Sequence, residues 1–176
     1  IDLVDVDAVA HPTSDDLMFG GDMEQWLRFA NTLKLRAYLR LSEVDPTKAA
    51  AGIATLDNAQ FLEEDAQISY ASIGGNQNPL FSEMLGLNRV QNLVASETVT
   101  KFMTQNRDPR ADVFFDRYVA ADVDSIIGIP QGSFRTNTRV VSLPSTAVGA
   151  NARKDQSATA PVKLISAAES YFLQAE

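Results

Sequence analysis

Tyr70 and Phe81 bracket a neutral, amide-rich run, Gly74-Gly75-Asn76-Gln77-Asn78-Pro79. An aromatic face covers the apolar side of a sugar ring while amides bond its hydroxyl rim. Tyr70, Asn76, Gln77, Asn78 and Phe81 are therefore the candidate ligand contacts. The competing reading makes Tyr70 and Phe81 core plugs beneath the loop, the commoner fate of an aromatic. Carboxylates are the other chemistry on offer. Asp2, Asp5 and Asp7 suggest a hard cation, but the glycine and distal glutamate of a calcium loop are missing, and a solvated acidic edge is the simpler reading. Asp122 and Asp124 form a second such pair, again read as solvated, and Glu63, Glu64 and Asp65 a contiguous cluster. Two carboxylates suffice for glycoside hydrolysis, yet with 23 acidic residues spacing selects no pair. His11 is the single histidine and cysteine is absent, so zinc, disulfide and thiolate chemistry lack partners. There is no G-x-S-x-G elbow, H-E-x-x-H pair or phosphate loop. A binding protein without catalytic residues, metal or cofactor is expected.

The composition narrows the partners. With 15 basic against 23 acidic residues the net charge is −8, the wrong sign for a phosphate backbone, so no nucleic-acid partner is expected. Hydrophobic residues make up 45% and charged ones 22%, the profile of a folded chain. No run of about 20 apolar residues is present to span a bilayer. Both ends read as cut: Ile1 follows no Met or signal segment, and Glu176 falls within a growing helix.

Any such loop needs a scaffold, and the strongest helical signal lies at 22–41. Asp22 can cap the first turn, with Gln25 three residues on as in a capping box. Met23, Trp26, Ala30, Leu33, Ala37 and Leu41 fall on one stripe, while Leu27, Leu35, Tyr38 and Leu39 lie off it. A helix apolar on more than one side packs between neighbours. Its cations, Arg28, Lys34, Arg36 and Arg40, must then snorkel to the rim or find carboxylates. Trp26 is a possible sugar platform, but its place on the stripe reads as core.

Pro12 to Gly21 is a loop whose two glycines permit a sharp entry into this helix. After a turn at 42–45, Asp45-Pro46 is a cap followed by proline at the first helical position, opening an Ala-rich helix over 47–59. Helix, short turn, helix is a hairpin of roughly tetratricopeptide length. Residues 61–94 lack firm periodicity and read as a long loop. Residues 96–106 read as a helix capped by Ser96 with Val99, Phe102 and Met103 inward, stopped by Pro109. Loop and short strand follow to 160, ending in a small-polar tract from Ser142. Ser166 and Glu169 then make a capping box for a last helix.

Four stretches resemble, in order, the signatures of the SusD/RagB family, glycan-binding lipoproteins of Bacteroidetes outer membranes. Asp16-Leu-Met-Phe-Gly-Gly-Asp22 followed by Trp26-Leu-Arg-Phe-Ala-Asn-Thr-Leu-Lys-Leu-Arg36 is similar to the family's W-x-x-F-A-N-S-L-K-L-R helix, with Thr32 in place of Ser. Ser96-Glu-Thr and Asp108-Pro-Arg110 resemble a second signature. Residues 127–132 resemble a third, with Ile127 where an aromatic is usual. Pro161 to Glu176 resembles P-x-x-L-I-S-x-A-E-x-x-F-L-x-A-E. Asn78-Pro79-Leu80-Phe81 is close to an Asn-Pro-aromatic motif, with Leu80 as a departure.

The resemblance implies a mainly α fold, a TPR-like helical-hairpin scaffold with long irregular loops and minor β structure. It implies that 1–176 is a fragment of a single SusD-like domain, lacking the family's N-terminal part and C-terminal tail. It also implies capture of an oligosaccharide, or a peptide, at the cell surface for delivery to a SusC-like TonB-dependent transporter. The membrane anchor would be a lipidated cysteine upstream of Ile1. Residues 77–94 and 142–160 are the expected transporter contacts. The alternative is a helical-repeat interaction module with no small ligand.

Overall fold

The structure, a computed structural model, describes residues 5–73, 75–87, 92–120, 123–151 and 153–176. In chain order these form α1 (Met23–Leu39), α2 (Pro46–Ala54), β1 (Ala66–Ile68), α3 (Pro79–Gly86), α4 (Glu97–Gln105), α5 (Ala111–Phe114), β2 (Tyr118–Ala120), β3 (Val123–Ser125), β4 (Val162–Ile165) and α6 (Ala167–Ala175). Two 3₁₀ turns, Thr146–Val148 and Asp155–Thr159, lie between β3 and β4. The chain divides into two compact units, one of Ile1–Ile68 with Val162–Glu176 and one of Ser69–Pro161. Both the mainly helical content and the helical hairpin agree with expectation.

In the first unit α1 packs against both α2 and α6, the central position read from its apolar residues. Asp22 accepts bonds from the Glu24 and Gln25 amides at 3.0 and 3.1 Å. The reciprocal half of the capping box is missing, because Gln25 Oε1 is buried without a partner. The buried side of α1 also differs from the expected stripe. Asn31, Thr32 and Leu35 are its buried residues; Trp26, Ala30 and Leu33 are half-buried and Ala37 is exposed.

The cause is polar. Thr32 Oγ1 donates to Arg28 O at 2.9 Å and accepts from Leu62 N at 3.0 Å, and Asn31 Nδ2 donates to Gln60 O at 3.1 Å. These bonds pin segment 60–62 to the helix, so two polar residues are buried that an apolar count passes over. Leu62, Ala66 and Ile165 form the core there, with Met18, Phe19, Phe29 and Leu33 packed around them. Arg28 and Arg36 find their carboxylates in Glu63 at 3.3 Å and Glu169 at 2.9 Å.

Proline at its first position and the Asp45 cap start α2, as expected, though it ends at Ala54. Its Gly52 lies against the Tyr38 ring, where an added Cβ would sit 2.2 Å from a ring carbon, so the small residue sets how closely the hairpin closes. β1 pairs antiparallel with β4. Asp65 then accepts from the Ala167 amide at 2.8 Å and pairs with Lys163. The Lys163 bond first, then that amide, lowers the Asp65 pKa. Ser166 caps α6 through the Glu169 amide at 3.0 Å.

The loop before α1 is organised by Asp16. Its carboxylate accepts from the amides of Met18, Phe19 and Gly21 at 3.0, 3.3 and 2.9 Å, and from Trp26 Nε1 at 2.8 Å. Burial raises its pKa, but the Gly21, Trp26, Met18 and Phe19 bonds together outweigh this and bring it from 3.8 to about 2. A folded-state value below the unfolded one gives stability that is present above pH ~4 and lost as pH falls through ~2. Asp16 is partly exposed, so solvent screening limits the effect to about 1–2 kcal/mol. Urea midpoints at pH 6 and pH 2 should fall less for Asp16→Asn than for the parent chain. Equal falls would show that the loop is not held by this charge.

The second unit has an unusual interior. Ser142, Ser145, Asn151 and Ser157 are buried along with Leu143, Ala150, Ala158 and Ala160. In the tract from 142 to 160, read as a polar contact loop, 142–145, 149–151, 157, 158 and 160 are buried, and the exposed residues are 147, 148, 153–156 and 159. Several of the tract's polar groups bond internally: Ser142 N donates to Ile127 O at 2.8 Å, its Oγ accepts from Ile127 N at 3.1 Å, and Ser145 Oγ donates to Val113 O, while Ser157 Oγ is buried without a partner. Residues 127–129 run between Ser142 and the start of α4, with Ile129 N bonded to Ala95 O at 2.8 Å and Glu97 N to Ile129 O at 2.9 Å. Gly128 is required here, since a Cβ would lie 2.4 Å from Glu97 N.

α4 buries Thr100 and Met103, whereas Val99 and Phe102, expected inward, are exposed. Ser96 makes no side-chain cap bond to this helix. Asp108 and Arg110 form a two-pronged pair at 2.9 and 2.6 Å after α4. The Arg110 bonds hold the Asp108 pKa down at about 2.

Candidate functional site

The segment from Tyr70 to Phe81 divides sharply. Ala71 N donates to Asn76 O at 2.8 Å and closes a turn, which leaves Asn76 exposed and Tyr70 and Gln77 half-buried. Gln77 Nε2 donates to Ser72 O at 3.1 Å. Asn78 and Phe81, by contrast, are 2% exposed and face no ligand surface. Asn78 caps α3: its Oδ1 accepts from the Leu80 and Phe81 amides at 2.8 and 3.2 Å, and its Nδ2 donates to Ala160 O at 2.8 Å. Both belong to the fold, correcting the expectation that they meet a ligand. Its helix α3 was also unexpected within a stretch read as loop.

Losing the Asn78 cap leaves three backbone groups short of a partner. Asn78→Ala should cost about 2 kcal/mol, measured by chemical denaturation, whereas Asn76→Ala should leave stability unchanged. An Asn78→Ala protein as stable as its parent would contradict the capping role.

The concave surface of this unit lies elsewhere. A cleft of ≈ 380 Å³ is lined by Asp116, Arg117, Tyr118, Val140, Asn151, Arg153 and Lys154, with Val141, Ser142 and Leu143 at its base. Fully buried Asn151 anchors it: Nδ2 donates to Asp116 Oδ2 at 2.7 Å and Oδ1 accepts from Arg153 N at 3.1 Å. Lys154 Nζ lies 2.9 Å from Asp116 Oδ2. Arg117 is shared with a second cleft of ≈ 500 Å³ that includes Thr104, Arg107, Asp108, Asp112 and Ser125.

Arg117 is clamped there, with Nε 2.6 Å from Asp112 Oδ1 and Nη1 3.4 Å from Asp124 Oδ1. The bonds and charge of Asp112, and then the charge of Asp124, push its pKa up. Three cations, one carboxylate and a half-buried tyrosine line the first cleft, groups able to meet a polyhydroxylated ligand.

None of these cleft residues was among the sequence candidates. They come from three separate segments, 116–118, 140–143 and 151–154, and no spacing rule links them. Asp5 Oδ1 accepts from Asp7 N at 3.0 Å, an ordinary turn bond, while Asp2 and Asp122 lie outside the described residues. His11 Nδ1 sits 2.8 Å from Pro12 O on an exposed loop. Among the described residues no three His, Cys, Asp or Glu side chains group as metal ligands, and no helix is long and apolar enough to cross a membrane.

A helical hairpin in one unit and a loop-built polar cleft in the other define a helix-scaffolded protein of TPR-like form. The chain belongs to the SusD-like family described as "Starch-binding associating with outer membrane", whose model matches residues 1–176. Solved structures agree. A SusD homologue from Bacteroides vulgatus is 27% identical with a TM-score of 0.67, over 92% of this chain and 32% of that one. A SusD homologue from Bacteroides uniformis is 24% identical with a TM-score of 0.73, over 95% and 34%. A chitin-binding SusD homologue from Flavobacterium johnsoniae is 23% identical with a TM-score of 0.68, over 94% and 33%. The chain thus spans about a third of the length of these structures. No curated protein matches it.

Proposed function

We propose that the intact protein captures a glycan at the outer-membrane surface and passes it to a SusC-like TonB-dependent transporter, held to the membrane by a lipid anchor outside this chain. The family membership carries this reading. The cleft around Tyr118 and Asn151 supports it with a concave, polar and partly aromatic surface. Binding there needs no catalysis. Tyr70, Asn76 and Gln77 are further candidate contacts, since they keep outward surface that Asn78 and Phe81 lack. For the transporter, α3 and its flank are the better candidate contact than 142–160, because Leu80, Leu85 and Leu87 are exposed.

Calorimetric titration of the intact protein with a panel of oligosaccharides tests the binding. Tyr118→Ala, Tyr70→Ala and Asn76→Ala should each weaken it without lowering the melting temperature. Equal losses of binding and stability would make those side chains structural. Purification from outer membranes tests the partner: a TonB-dependent barrel should accompany the protein. Recovery alone from the soluble fraction, with no glycan bound from the panel, would leave the helical interaction module as the better account.

A further inference from the structure

We propose that the cleft beside Asn151 selects a glycan bearing an acidic group, a carboxylate or a sulfate, and that Arg153 is the residue that recognises it. This rests on the glycan-binding reading above. The protein carries a net charge of −8, yet the cleft is lined by Arg117, Arg153 and Lys154 against Asp116. The local charges are not equivalent. Arg117 is committed to Asp112 and Asp124, and Lys154 to Asp116. Arg153, exposed at the cleft, makes no ion pair among the described residues.

Its backbone is held in place. The Arg153 amide donates to the side chain of Asn151, which is 1% exposed and held in turn by Asp116. A guanidinium rising from that held backbone presents a planar fork of donors that matches a carboxylate or sulfate edge. A neutral sugar offers that fork only hydroxyls, and the net negative charge of these 176 residues would otherwise disfavour an acidic substrate. One spare arginine, its backbone held at a cleft whose other charges are already paired, suits selection of an anion.

The test is calorimetric titration of the intact protein with matched-length oligosaccharides: neutral malto- and chito-oligosaccharides, oligogalacturonate, and a sulfated oligosaccharide. At low salt the best acidic ligand should bind at least about tenfold more tightly than the best neutral one, with the margin shrinking as salt rises. Oligogalacturonate as the preferred ligand identifies a carboxylate, and the sulfated ligand a sulfate. Arg153→Ala should bring the acidic-to-neutral ratio close to one, and Arg153→Lys should restore only part of it, because the charge returns without the fork. Arg135→Ala removes an exposed charge outside the cleft and should leave the ratio as it was.

Neutral ligands bound as tightly as acidic ones, or an Arg153→Ala ratio equal to the parent's, would overturn the acidic selection while the glycan-binding reading stands. Failure of every oligosaccharide to bind would overturn both.

Discussion

Gly21→Ala is expected to destabilise the first unit by about 3–5 kcal/mol, the sum of a backbone clash and a strained φ. Gly21 has φ +91°, and an added Cβ would lie 2.0 Å from the Pro12 carbonyl oxygen and 3.0 Å from Thr13 Cα. Backbone atoms cannot rotate away as a side chain would. Its amide is also one of the four donors to Asp16, so displacing it disturbs the bond set that brings the chain into α1. Gly20 supplies the control. It has φ +63° but nothing within 4 Å of an added Cβ, so Gly20→Ala should cost only about 1 kcal/mol, the strain of a left-handed alanine. Urea denaturation of the two variants measures the gap. Equal losses would mean that backbone strain alone governs the site and that the approach to Pro12 is irrelevant.

Trp26→Ala is expected to cost about 3 kcal/mol, the low end for a tryptophan because the ring is half-buried rather than enclosed. Trp26 meets Phe19 and Phe29 edge-on, with ring centroids 5.1 and 5.7 Å away, and Phe19 also meets Phe29 at 6.1 Å. Truncation removes the central member of this triangle and leaves Asp16 without its side-chain donor. Trp26→Phe keeps a ring in place and loses only the hydrogen bond, so about 1 kcal/mol should go. Thermal melts of both variants separate ring packing from the Asp16 bond. Were the two substitutions equally costly, the hydrogen bond would account for the whole effect.

The sequence rules worked best where a local chemical signal marks a helix end. Asp22, Asp45-Pro46 and Ser166 all cap where expected. Asn78-Pro79 carries the same signal as Asp45-Pro46 but went unrecognised. An eight-residue helix completes little more than two turns, too few for a hydrophobic period to stand out from a weakly patterned stretch. α4 has nine residues, and its exposed Phe102 beside buried Thr100 defeats any count of apolar positions.

The small-polar tract misled for a related reason. Serine and asparagine read as solvent-facing, yet Asn78, Ser142 and Ser145 are buried by bonding to backbone from distant segments, and Asn151 by bonding the Asp116 carboxylate. The cleft was the least legible feature, because Asp116, Tyr118, Asn151 and Arg153 become neighbours only through those same long-range bonds. Family motifs fared differently. Asn31, Thr32, Gly21 and Gly128 each have a structural duty, which explains their residue types without reference to any ligand.

The pairing of Ile68 with Val162 has a consequence for how the molecule assembles in time. The chain leaves one unit at Ile68, runs through all of Ser69–Pro161, and returns at Val162 beside the strand it left. If that excursion were still an open coil, joining its ends would carry an entropy penalty of about 4 kcal/mol, far more than three strand residues return. Compaction of the inserted segment shortens the effective distance to be closed. The β1–β4 pair is therefore expected to form late, after the insert has collapsed, together with the docking on α1 of α6, which follows β4 after Ser166 alone. Refolding should accordingly be limited by the insert, even though the longest helix belongs to the other unit and can form early from its own local contacts.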